Sequence, residues 1–272
     1  MNKSEIKRED LKSNFLRQTI IRLDYDILFD ENIKIYTEKM YPYLIEKGYK
    51  MISNTMSNFE LNINMDDSNN TVSNQLNRND EKYTSFKNKE GNIIIDITKQ
   101  YTTITVEYLK YEKFDEFSEI FKQIAGELKD IRIGFSFNRI GLRKINVIFF
   151  KGLDKINNYL ETMIFNYSKQ INDNKTKLLI KNSVETFRVD EYKVNRNTSV
   201  SNGIFTDENK KEQEAYQVML DIDIYDDEMK ENILNIDKMN NVLFEIYKDS
   251  LKDEFLNKMR SENFEDKEIL KI

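Results

Sequence analysis

Apolar and polar residues alternate along Phe15 to Phe29: Ile21, Leu23, Tyr25, Ile27 and Phe29 fall on one side, Arg22, Asp24 and Asp26 on the other. A period of two sends successive side chains to opposite faces of a strand, so this segment predicts a half-buried strand. Over 31–47 the period lengthens. Ile33, Tyr36 and Met40 share one helix face, and Pro42 predicts a stop or kink near Tyr41, because it lacks an N–H and crowds the preceding turn. The stretch MSNFELNINM, 56–65, reads as a second strand with looser alternation. DDSNNTVSNQLNRND, 66–80, is polar throughout and predicts an exposed loop.

Three strand signals follow, Tyr83–Phe86, Ile93–Ile97 and Tyr101–Leu109, separated by NKEGN and TKQ, as in an antiparallel meander. Phe114, Phe117, Phe121, Ile124 and Leu128 repeat in three- and four-residue steps, which predicts an amphipathic helix over 112–128. A long strand is expected at 131–150, and a helix through Leu153, Ile156, Leu160, Met163 and Ile164. QINDNKT, 170–176, marks a lobe boundary. Strands at 177–190 and 215–225 flank a polar insertion, NRNTSVSNGIFTDENKKEQE. A long helix over 237–260 uses Met239, Leu243, Ile246, Leu251 and Phe255.

Helices and antiparallel strands come in blocks without βαβ alternation, so the fold class is α+β: antiparallel sheets, amphipathic helices packed on one face, and a long C-terminal helix. The expected organisation is a flexible lead at 1–14, an α+β lobe at 15–168, a strand pair with the long helix at 177–260, and a frayed tail at 261–272. Strand–loop–strand–helix order in both halves suggests two similar lobes.

The segment FNRIGLRKINVIFF, 137–150, breaks its own pattern. Apolar residues occupy odd positions before residue 139 and even positions after it. A strict period of two cannot do this, so a bulge near Asn138–Arg139 or a bend at Gly141 is expected. Arg139 and Arg143, four apart, lie on one face of a strand, with Cα atoms roughly 13 Å apart. Arginines on a core strand need partners, because an unpaired buried charge is costly. VMLDIDIYDDE supplies them: Asp221 and Asp223 share one face, and an Arg row beside an Asp row makes a cross-strand ionic ladder. The competing reading is an anion or ligand groove lined by Arg139, Arg143 and Asn146.

Composition narrows the chemistry. The 272 residues include no Cys, which removes disulfides and thiol catalysis, and no His, the commonest general base and metal ligand. None of the 7 glycines belongs to a phosphate-binding loop or nucleophile elbow. The net charge of −6, with both signs intermixed, sets up no general field for nucleic acid. The polar N-terminus carries no signal-peptide core, and no apolar run reaches the roughly 20 residues a bilayer span needs, so a cytoplasmic protein without membrane contact is expected. Asp221-x-Asp223 is the sharpest enzymatic pattern, since alternate carboxylates on one strand face can hold Mg²⁺ or Mn²⁺ for phosphoryl or nucleotidyl transfer. No Gly-Ser turn precedes it. Asp24 and Asp26 repeat the spacing and read as a solvated sheet face.

FNRIGLRKINVI resembles the R-[IL]-G-L-R-Y-[IV]-N signature of a sporadically distributed, functionally uncharacterised bacterial protein family. The resemblance extends to the opening strand at 17–29, to Tyr111, Phe114 and Phe117, to the LDID strand at 220–223, and to the aromatic Phe255 in the last helix. Lys144 stands where Tyr or a similar residue is usual in that family. The resemblance implies no activity. The expected function is a non-catalytic binding protein without a cofactor, which recognises a protein partner, a second copy of itself or a small anionic ligand in a bacterial accessory or defence locus. The alternative is a metal-dependent phosphoryl-transfer enzyme built on Asp221 and Asp223. A third reading is a nucleic-acid binder using Arg139, Arg143 and Lys144.

Overall fold

A computed structural model of the chain describes residues 3–66, 71–108, 114–131, 136–165, 177–207, 209–229, 235–261 and 264–270, with the backbone alone over 53–66 and 71–82. The described strands are β1 (Leu16–Tyr25), β2 (Lys50–Asp66), β3 (Thr71–Lys87), β4 (Ile93–Ile97), β5 (Tyr101–Glu107), β6 (Phe137–Phe150), β7 (Ile180–Val189), β8 (Tyr192–Thr206) and β9 (Glu212–Asp226). They form one antiparallel sheet in the order β2-β3-β4-β5-β1-β6-β9-β8-β7. The helices are α1 (Asp30–Glu46), α2 (Phe114–Lys129), α3 (Leu153–Ile156), α4 (Ile236–Ser250) and α5 (Asp253–Met259). The α+β class is therefore present. The two expected lobes share one sheet, because β9 pairs with β6 from Ile140↔Asp226 to Phe150↔Tyr216. The boundary at 170–176 lies outside the described residues.

Register lines up the core. Met51, Phe86, Ile95, Ile104, Ile21, Leu142, Ile224, Val194 and Phe187 stand side by side across the nine strands. Most of this row belongs to one apolar cluster with Tyr36 and Met40 of α1, Phe117 and Phe121 of α2, Met239 and Leu243 of α4, and Phe255 of α5. The helices thus cover one sheet face. Each large apolar side chain buried there is worth roughly 1.5–3 kcal/mol. Among the described residues no helix is long and apolar enough to cross a membrane.

Several expectations are corrected. The first strand ends at Tyr25, and Ile27 and Phe29 are exposed. Helix α1 runs through Pro42 to Glu46. Pro42 and Glu38 both lie on its exposed side, where water can satisfy the carbonyl that Pro42 leaves without a donor. The polar stretch at 66–80 is strand from residue 71, paired with β2 from Asp66↔Thr71 to Lys50↔Lys87. Most of the polar insertion at 195–214 belongs to β8, paired with β9. In both hairpins backbone pairing overrides weak side-chain propensity.

The helix expected after Leu153 lasts one turn, and the long C-terminal helix breaks at Leu251. These departures share a cause. Leu160 bridges Leu251, Glu161 N–H donates to the Ser250 carbonyl, and Lys252 N–H donates to the Tyr159 carbonyl, so each segment takes backbone bonds that a helix would keep for itself. Neither terminus is loose where it is described. Ile6 is buried, Lys248 Nζ donates to the Lys3 and Ile6 carbonyls, and Lys12 and Ser13 N–H groups donate to the Met259 carbonyl. Near the other end Ile269 bridges Phe150, and Leu270 N–H donates to the Phe149 carbonyl.

Candidate functional site

Strand β6 begins at Phe137, with residues 132–135 outside the described set. Its register against β1 passes from Asp24↔Arg139 to Tyr25↔Phe137, leaving Asn138 as an extra residue. This is the bulge that the exchange of apolar parity requires. Beyond it, Ile140, Leu142, Lys144, Asn146, Ile148 and Phe150 point to the helices, while Arg139, Gly141 and Arg143 point to the uncovered face.

On the uncovered face Arg143 holds Asp221 bidentately, Nε to Oδ1 at 2.8 Å and Nη2 to Oδ2 at 2.6 Å. Arg139 Nη2 donates to Asp223 Oδ2 at 3.2 Å, and its Nη1 lies 3.6 Å from Asp24 Oδ2. Arg22 Nε donates to the other oxygen of Asp24 at 2.7 Å. Two of these guanidinium groups lie over phenol rings, Arg139 on Tyr225 at 4.6 Å and Arg22 on Tyr101 at 4.2 Å. Gly141 makes room: a Cβ there would sit 3.4 Å from Arg139 Nη2, so the guanidinium lies across the strand. The expected ladder is present, with Asp24 as a further member. Asp26 is spent elsewhere, accepting from Ser136 N–H.

Burial pushes the Asp223 carboxyl above the usual carboxylate range, against the opposing pull of Arg139 and Arg143. Both oxygens of Asp221 accept from Arg143, so a divalent ion would have to displace a guanidinium. Among the described residues no group of three or more acidic side chains is placed to hold a metal.

The three ligand residues proposed from sequence do not converge. Asn146 lies on the helix side, away from Arg139 and Arg143, and so does Lys144. Arg139, Arg143 and Lys144 therefore form no common surface for a nucleic-acid backbone. Sequence parity already put Lys144 and Asn146 with the apolar set, and that is the signal for what was missed. Lys144 is buried. Its Nζ donates to Asn240 Oδ1 at 2.6 Å and lies 5.2 Å from the Phe114 ring centroid. Burial, and secondarily the charge of Arg8, pull its ammonium down to about 7. Nearby, Thr19 Oγ1 donates to the Tyr108 hydroxyl at 3.2 Å, and Arg8 Nη2 donates to the Asn240 carbonyl at 2.8 Å.

No protein-family model matches this chain, and no curated protein matches it in sequence.

Proposed function

We propose that this chain is a non-catalytic binding protein that recognises a protein partner through the uncovered face of its sheet. One observation carries the reading: half-exposed guanidinium groups of Arg22 and Arg139 are stacked on Tyr101 and Tyr225 and held by carboxylates across three adjacent strands. Arg and Tyr are the side chains most often found at the energetic centre of protein interfaces, and pre-stacked rings lose little conformational freedom on binding. The engagement of Asp221 and Asp223 with arginines speaks for recognition over metal chemistry. The RIGLRKIN resemblance is compatible with this role in a cytoplasmic bacterial protein from an accessory or defence locus.

Self-association is a second reading, favoured by β7. It ends the sheet, and Ile180 and Val184 on it are exposed. Such an edge can add a strand from another copy.

Native mass spectrometry on protein purified gently from its own cells, followed by hydroxyl-radical footprinting, tests the proposal. A second chain that protects Tyr101 and Tyr225 is the expected result. Protection confined to β7 in a homodimer favours the second reading. A bare monomer that takes up Mn²⁺ stoichiometrically refutes both.

A further inference from the structure

A small cavity of about 60 Å³ lies under the N-terminal lead, between β6 and α4. Among the described residues its polar lining is Arg8, Asn14, Tyr108, Lys144, Asn146 and Tyr247, with no Asp or Glu. The Tyr247 hydroxyl is buried and has no hydrogen-bond partner among the described residues. Among the described residues, Lys144 has only the neutral amide oxygen of Asn240 as acceptor. A buried ammonium that lacks a counter-ion is unfavourable, and so is an unsatisfied buried hydroxyl. One ligand relieves both, an acceptor that carries negative charge. At about 30 Å³ per water the space equals roughly two waters, the size of a group of three or four heavy atoms. The remaining wall, including Leu11, Phe114 and Leu243, is apolar and suits an alkyl stub over a fully hydrated ion.

We propose that this cavity binds a small monocarboxylate, with the Lys144 ammonium as its counter-ion and the Tyr247 hydroxyl and Asn146 amide as further donors. The site is independent of the uncovered face, since it lies on the opposite side of β6.

The charged and titratable groups facing Lys144 among the described residues are Arg8 from the lead, Tyr108 beyond β5 and Tyr247 on α4. Asp237 on α4 is turned to Ser118 Oγ and Lys122 Nζ of α2, both at 2.6 Å. Burial holds the Tyr247 phenol far above its ordinary range, so it remains a donor throughout. The carboxylate binds only the protonated amine. With that amine titrating at about 7, apparent affinity falls roughly fiftyfold from pH 7 to pH 9.

The test is thermal unfolding of the full chain with sodium acetate against sodium chloride at matched ionic strength, at pH 7 and pH 9. The expected result is a rise in melting temperature with acetate that chloride does not reproduce, that shrinks at pH 9, and that is lost in Lys144→Met. Tyr247→Phe removes an oxygen without a partner among the described residues, so it should fold normally and weaken the acetate effect. An equal rise with chloride, a rise that survives Lys144→Met, or no rise in the wild type overturns the proposal.

Discussion

Replacing Lys144 by Met measures what its burial does to stability. The folded chain releases the Lys144 proton at about 7, whereas an unfolded lysine holds its proton to about 10.4. Between these values the unfolded chain binds a proton that the folded chain lacks, so stability rises with pH across that window. Below it both states are protonated and the whole penalty applies. Above it neither is, and the penalty is gone. A shift of roughly three units, at about 1.4 kcal/mol each, gives a penalty on the order of 4 kcal/mol at pH 6. Met keeps most of the stem and removes the charge. It also strands Asn240 Oδ1, which costs about 1–3 kcal/mol. The variant should therefore be more stable than wild type at pH 6 by on the order of 1–3 kcal/mol, and less stable at pH 10, where a little under 1 kcal/mol of the penalty remains, by up to about 2 kcal/mol. Urea midpoints at one-unit steps from pH 6 to pH 10, in buffers free of carboxylate, read the difference. All other titrating groups are common to both proteins and largely cancel. A difference that stays constant over this range would refute the reasoning, because it would mean that Lys144 titrates alike in both states.

Other perturbations probe the rest of the molecule. Arg143→Ala leaves the carboxylate of Asp221, only 6% exposed in its side chain, without its guanidinium; about 2 kcal/mol should be lost, and thermal melting should fall by roughly 4–8 °C. Mn²⁺ should leave the melting temperatures of wild type and Asp221→Asn unchanged, and a rise in the wild type alone would revive the phosphoryl-transfer reading. Phe255 sits among Phe15, Tyr159 and Phe264 at centroid distances of 5.6, 4.8 and 6.1 Å; Phe255→Ala should cost about 3–5 kcal/mol in chemical denaturation.

The Arg–Asp ladder was legible because it follows from two local facts, the parity of Arg139 and Arg143 and the parity of Asp221 and Asp223. The bulge at Asn138 was legible for the same reason, since an exchange of apolar parity demands an odd residue. The helix over Phe114 to Leu128 and the strand Ile93–Ile97 carry clean periods and appear as expected, and the strand expected at Tyr101–Leu109 is present from Tyr101 to Glu107. Failures came where the deciding partner is remote in sequence. Nothing within DDSNNTVSNQLNRND signals a strand, because its pairing is supplied by β2. The helical spacing of Leu153 to Ile164 is real, but the chain near Leu251 takes the Glu161 N–H and the Tyr159 carbonyl. Asp24 joined the ladder through Arg139, a contact that depends on β1 lying beside β6.

Strand β6 carries charge on both faces, and energetics separates the two. Arg139 and Arg143 are partly solvated and satisfied by carboxylates, so their presence follows from architecture alone; they would be kept in a protein with no ligand there. Lys144 has no such account. Its face is apolar at Ile140, Leu142 and Ile148, and burial makes an amine at that position unfavourable at neutral pH by a few kcal/mol, a large part of the roughly 5–15 kcal/mol by which folded domains are stable. Local rules are broken in this way mostly where function compensates. The partner surface and the buried cavity therefore rest on different warrants. The uncovered face is suited to binding by composition, whereas the cavity holds a group that stability alone would replace.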